Sequence, residues 1–237
     1  MGVDKTLSYY HDIREQNPAL GLRSIRFSLQ NKPVFAEQIR AILRAGAGAD
    51  LRIMFSMISS IDEFCQGREV VFECLEELGK QDTEHNRKPK LGIMVELPCV
   101  VDLIDDFTKE ADFFSIGTND FIQFMLGVDR TNENVAGSYL PYHPSVLRAM
   151  KKVVHSANKN GREISICGDM AHQERYLPFL LGIGVRVLSM NPSYLLKIQK
   201  AISDIELNEA KATAENMLDQ TRISDITQTL KLNRVDE

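Results

Sequence analysis

Two carboxylates, Glu96 and Asp120, each come just after a short apolar run of strand length. A carboxylate at the end of a strand is held on a rigid support. Two sharing one face suit Mg²⁺, a hard cation that takes a few carboxylates and completes its shell with substrate oxygens. The same acids would serve as helix caps or loop charges, and spacing leaves these readings level. Arg23 and Arg130 carry planar forks that match a phosphate with two parallel hydrogen bonds, although a lone arginine is more often half of a surface ion pair. Asn119, in Gly117-Thr118-Asn119-Asp120, could donate to a phosphate oxygen, yet that run is also ordinary turn chemistry. Cys167 ends an apolar run and precedes Gly168. A thiol there acts as acid or nucleophile if its pKa is tuned, and is otherwise a small buried hydrophobe. Cys65, Cys74 and Cys99 read as filler, and none of the five histidines has metal-ligand spacing.

Elements that would position these residues alternate along the chain. Strands are expected at residues 23–29, 51–57, 91–96, 113–116, 164–167 and 185–190. Between them lie amphipathic helices at 33–45, after Ser60, through Val101, Ile104 and Phe107, at 144–160 and near 174–181. Ser60-Ile61-Asp62-Glu63 reads as a capping box, with hydroxyl and carboxylate each covering a free N–H. Residues 117–142 read as a turn and then a long connection, and further helices, one over 207–218, finish the chain. Such alternation implies a parallel sheet. The site would stand at the strand carboxyl ends of either a barrel or an open doubly wound sheet.

Bulk properties set the frame. The 237 residues suffice for one α/β barrel and a substantial core. A net charge of −5 argues against a nucleic-acid partner, which wants a basic face. No signal peptide and no membrane-length apolar run is visible, and four unpaired cysteines fit reduced thiols in a cytoplasmic protein.

Five collinear stretches carry a resemblance. They are Asn17-Pro18-Ala19-Leu20-Gly21-Leu22-Arg23, Gly92-Ile93-Met94-Val95-Glu96-Leu97-Pro98, Ser115-Ile116-Gly117-Thr118-Asn119-Asp120, Val128-Asp129-Arg130 and Cys167-Gly168-Asp169-Met170-Ala171. Their order and spacing resemble the phosphoenolpyruvate-utilising enzymes, nearest to enzyme I of the phosphotransferase systems. Leu188-Ser189-Met190-Asn191 and His143-Pro144 look more like the nitrogen-regulatory branch than the sugar branch. The resemblance implies a (β/α)8 TIM-type barrel over residues 1–205, with a helical tail over 206–237. It further implies Mg²⁺ held by Glu96 and Asp120, phosphoenolpyruvate bound by Lys5, Arg23, Asn119 and Arg130, and Cys167 as the acid that turns enolate into pyruvate. The reaction would be a transfer of the phosphoryl group to a protein histidine, a kinase-like step serving a phosphocarrier protein, in a chain that forms homodimers.

The chain also departs from that pattern. About two N-terminal strand–helix units and the domain with the phosphorylated histidine are expected upstream of Gly2, so the barrel is expected to be incomplete. Val3 stands where a second glycine is usual, Ser56 where a proline is, and Asp169 where a glutamate is. Two other readings remain at this point: the C-terminal domain of a pyruvate phosphate dikinase or phosphoenolpyruvate synthase, and a non-catalytic dimerisation module.

Overall fold

The computed structural model describes Glu15 and residues 17–232. The chain divides into two compact units, Met1–Met94 and Val95–Glu237.

In the first unit, helices α1 (Ile25–Gln30), α2 (Lys32–Ala45) and α3 (Ile61–Lys80) accompany strands β1 (Arg52–Phe55) and β2 (Lys90–Val95). The strands pair in parallel from Arg52↔Lys90 to Phe55↔Ile93. The core is aromatic at its centre. Phe55 meets Phe35 and Phe64 edge to face, with ring centroids 6.1 and 5.9 Å apart, a geometry that aligns the positive ring edge with the negative face. Ile39, Leu43, Val71, Cys74 and Leu78 close around them. Asn86, buried in the loop after α3, donates its amide to the carbonyls of Gly46 (3.0 Å) and Ala49 (2.7 Å), which satisfies the turn beyond α2.

The second unit opens with α4 (Pro98–Asp102) and α5 (Ile104–Glu110), then β3 (Phe113–Gly117), α6 (Thr118–Leu126) and α7 (Pro144–Lys159). It continues through β4 (Glu163–Cys167), α8 (Leu177–Gly182), β5 (Val187–Leu188) and the helices α9 (Leu195–Ser203), α10 (Leu207–Asp219) and α11 (Ile223–Thr229). Strands β3 and β4 pair in parallel from Phe113↔Glu163 to Gly117↔Cys167, and β4 pairs β5 at Ser165↔Val187 and Ile166↔Leu188. Helix α7 buries Val146, Leu147, Met150, Val153 and Val154 on one face. Helix α10 packs tightly on α8: a Cβ on Gly182 would lie 2.2 Å from the Ala210 carbonyl oxygen. Every pairing inside each unit is parallel, and five strands lie among the described residues. This is the parallel α/β alternation read from the sequence. No helix among those residues is long and apolar enough to cross a membrane.

Four local expectations need correction. Residues 23–29 form helix α1 rather than a strand. Ile25, Phe27 and Leu29 alternate as a strand would, but Ile25 and Leu29 are also one helical turn apart, and seven residues fit either period. The helix through Val101 and Phe107 breaks at Leu103 into α4 and α5. The stretch read as a connection contains α6, which buries Thr118, Phe121, Ile122 and Gln123 and stops at Gly127 in the left-handed region (φ 63°). The cap of α3 is offset by one residue. Ser60 accepts from the Glu63 N–H as expected, while Glu63 accepts from Ser59 N–H (2.6 Å) and Ser59 Oγ (2.8 Å).

Candidate functional site

Parallel strands bring their carboxyl ends to one level, and the Gly117↔Cys167 register makes β3 and β4 finish side by side. The residues just beyond the two strands are then stitched together. Thr118, fully buried, donates from Oγ1 to the Cys167 carbonyl oxygen at 2.8 Å. Asn119 Oδ1 accepts the Asp169 backbone N–H, also at 2.8 Å. Between them Gly168 takes φ 93°, and a Cβ there would lie 2.4 Å from Thr118 Oγ1 and 2.7 Å from Asn119 Oδ1. Only glycine permits both the conformation and the approach. With Oδ1 engaged, the Asn119 amide retains its Nδ2 hydrogens for a ligand.

Asp120 lies in the first turn of α6, where the helix dipole favours negative charge. Its side chain is 12% exposed, and Arg130 Nη2 stands 3.8 Å from Oδ1 with the Arg130 side chain 36% exposed. This separation is an ion pair without a tight hydrogen bond, which leaves fork donors for an anion. The Arg130 backbone N–H donates to buried Gln123 Oε1 at 3.2 Å. Tyr139 donates from its hydroxyl to the Asn119 carbonyl at 3.3 Å. Burial pushes the Tyr139 phenol up to about 12, against the opposing Arg130 charge, so it stays protonated and a donor.

Cys167 Sγ accepts from Ser115 Oγ at 3.6 Å and lies 3.5 Å from the Ile116 carbonyl oxygen. Burial raises the thiol pKa above its ordinary value. The Ser115 hydrogen bond works against that rise, and the Glu96 charge adds to it. The group is therefore a protonated thiol at neutral pH, suited to giving a proton rather than to nucleophilic attack. Glu96, one residue beyond β2, is 6% exposed.

The second unit thus holds Asn119, Asp120 and Cys167 at the ends of β3 and β4, Arg130 paired with Asp120, and Glu96 close enough for its charge to act on Cys167. Arg23 belongs to the first unit, where its Nη1 lies 3.5 Å from the Ala19 carbonyl oxygen. Lys5 lies outside the described residues. Among the described residues no group of three or more His, Cys, Asp and Glu is arranged to hold a metal ion. Glu96 and Asp120 are the two nearly buried carboxylates of the cluster. Sequence reasoning alone does not single out Ser115, Gln123 or Tyr139. Ser115 has one visible signal, a hydroxyl inside the apolar run Phe113-Phe114-Ser115-Ile116; the other two become functional only through contacts made by the fold.

A model of the family described as PEP-utilising enzyme, PEP-binding domain, matches residues 1–207. Proteins named phosphoenolpyruvate-protein phosphotransferase are similar. The one from Mycoplasma capricolum is 44% identical over 219 residues, covering 92% of this chain and 38% of that protein. The one from Listeria monocytogenes is 40% identical over 228 residues, covering 96% and 40%. The one from Staphylococcus aureus is 42% identical over 219 residues, covering 92% and 38%. This chain therefore spans well under half the length of these relatives. Among solved structures, a citrate lyase from Burkholderia xenovorans is similar in fold, with a TM-score of 0.51 at 19% identity, covering 77% of this chain and 58% of that one.

Proposed function

The chain belongs to the phosphoenolpyruvate-utilising enzymes, as their phosphoenolpyruvate-binding domain, and from that premise we propose that its strand-end cluster binds phosphoenolpyruvate and releases pyruvate within a phosphoenolpyruvate–protein phosphotransferase. The observation that carries this reading is the convergence of an Arg–Asp pair, an oriented amide and a protonated thiol on two adjacent strand ends. Arg130 and Asn119 Nδ2 bind the phosphoryl and carboxylate oxygens, and Arg23 and Lys5 are assigned to the same anion by resemblance. Phosphoryl transfer asks a protein for positioning and charge stabilisation, which fixed donors supply.

Two nearly buried carboxylates with hard oxygen donors fit Mg²⁺, which takes one or two carboxylates plus substrate oxygens and water rather than an all-protein cage. Glu96 and Asp120 would hold it, and bound there it would neutralise charge on the transferring phosphoryl group. Once the phosphoryl group has left, the remaining enolate needs a proton at its methylene carbon. Cys167, kept as a thiol by burial and by Glu96, donates it. The acceptor is a histidine of another domain, recharged for a carrier protein, in a cytoplasmic and homodimeric enzyme. Leu188–Asn191 and His143-Pro144 favour the nitrogen-regulatory branch.

The test is a thermal melt with Mg²⁺ and phosphoenolpyruvate. Ligand that binds the folded state alone raises the midpoint by mass action. The expected result is an upward shift that needs both ligands and vanishes in Glu96→Ala. A cooperative melt with no shift in the unaltered chain would sink the assignment.

A further inference from the structure

Ser115 sits in the middle of β3 between Phe114 and Ile116 and is 3% exposed. A hydroxyl taken out of water costs free energy unless it is hydrogen-bonded. Among the described residues its one partner is Cys167 Sγ, 3.6 Å away. The register allows this contact as a diagonal cross-strand pair. Ser115 stands opposite Ser165, and Cys167 comes two residues after Ser165 on the same face of the neighbouring strand. On its other side the sulfur has the Ile116 carbonyl at 3.5 Å. The thiol proton therefore has an acceptor and the sulfur lone pairs have a donor. Thr118 holds the Cys167 backbone through its carbonyl.

Resting on the function proposed above, we propose that Ser115 is a positioning residue for the acid: its hydroxyl sets the Cys167 side chain and receives the charge left on sulfur, while Thr118 sets the Cys167 backbone. In the step it serves, the S–H bond breaks and a C–H bond forms at the methylene carbon of the enolate. The carbon–carbon π electrons make the new bond, and the enolate oxygen becomes the keto oxygen. The thiolate then accepts the Ser115 O–H until solvent returns a proton. A space-filling serine would behave differently. A thiol is a weak hydrogen-bonding group, so Ser115→Ala strands no strong polar partner and should leave the fold intact.

Alkylation of Cys167 by iodoacetamide, with mass spectrometry as the readout at one mildly alkaline pH, tests the contact without any ligand. Losing a hydrogen bond to a charged group shifts its pKa by about one unit, and since a more basic thiolate is also more nucleophilic, Ser115→Ala should slow alkylation about three- to fourfold with an unchanged melting temperature. An unchanged or faster rate overturns the proposal. A second measurement separates it from the function on which it rests: exchange of pyruvate methyl protons for deuterium in heavy water with Mg²⁺. The expected result is no exchange in Cys167→Ala. In Ser115→Ala, exchange should slow several-fold with the half-saturating pyruvate concentration unchanged. If Cys167→Ala exchanges like the unaltered chain, or the unaltered chain shows no exchange, the acid assignment fails and Ser115 falls with it. If Cys167→Ala is inert and Ser115→Ala keeps full speed, the Ser115 role alone is wrong.

Discussion

The two units bury polar groups for different ends. In the first, Asn86 is the buried polar residue among those described, and its amide ties two loop carbonyls beyond α2. Around it the core is Phe35, Phe55 and Phe64 with aliphatic neighbours. In the second, Thr108 and Ser156 are buried with hydrogen bonds to Asp105, while Glu96, Ser115, Thr118 and Gln123 are buried and act on the ends of strands or on the segments just beyond them. Burying a polar group is costly unless it is paired. One unit accepts that cost to close a loop, the other to hold a thiol, an amide and an Arg–Asp pair in register.

Substitutions can break or sharpen this contrast. Phe64→Ala should have the largest effect, because it removes a fully buried ring packed edge to face on Phe55: about 3–5 kcal/mol of stability, read from the denaturant midpoint. An effect under about 1 kcal/mol would mean that the Phe64 ring is not a tightly packed part of that core. Gly168→Ala should come next. Its left-handed φ and the clash with Thr118 and Asn119 imply about 1–3 kcal/mol of strain, with loss of the phosphoenolpyruvate-dependent rise in melting temperature. Full ligand response in that variant would contradict the stitched geometry. Asn86→Ala should cost about 1–3 kcal/mol by removing two hydrogen bonds, although the Gly46 and Ala49 carbonyls keep the backbone N–H groups of Ala49 and Leu51. Because Asn86 ties loop carbonyls and not site residues, titration with phosphoenolpyruvate should show unaltered affinity.

The smallest effect belongs to a surface pair. The Lys90 ammonium, 3.1 Å from Asp50, holds that carboxyl below its ordinary value, with Arg52 helping. A carboxyl with a lowered folded-state pKa contributes stability above its unfolded pKa and loses it as pH falls through the folded one, here below about pH 4. Lys90→Ala should move the Asp50 titration upward by NMR while leaving stability at neutral pH unchanged, because exposed pairs are worth little. A downward or absent shift would exclude Lys90 as the cause.

How much is legible in the sequence depends on the range of the interaction. Helices α2, α3 and α7 carry their apolar faces at helical spacing over many residues, so their periodicity is unambiguous. Helix α1 reads as a strand because seven alternating residues satisfy two periods. Helix α6 escapes a sequence reading because Phe121-Ile122-Gln123-Phe124-Met125-Leu126 is apolar almost throughout and has no readable stripe. Glu96, Asp120 and Cys167 are legible as polar groups ending apolar runs. Ser115, Gln123 and Tyr139 are not, since each acquires its role from a residue 52, 7 and 20 positions away respectively.

By itself the sequence determined the α/β class, most of the strands and the family, because these rest on local periodicity and on collinear motifs. Only the tertiary structure decided that the Cys167 thiol is held in its protonated form. That comes from burial and from the Glu96 charge, which outweigh the opposing hydrogen bond from Ser115. Desolvation and cross-strand contact depend on what lies nearby in space, and no spacing along the chain encodes them.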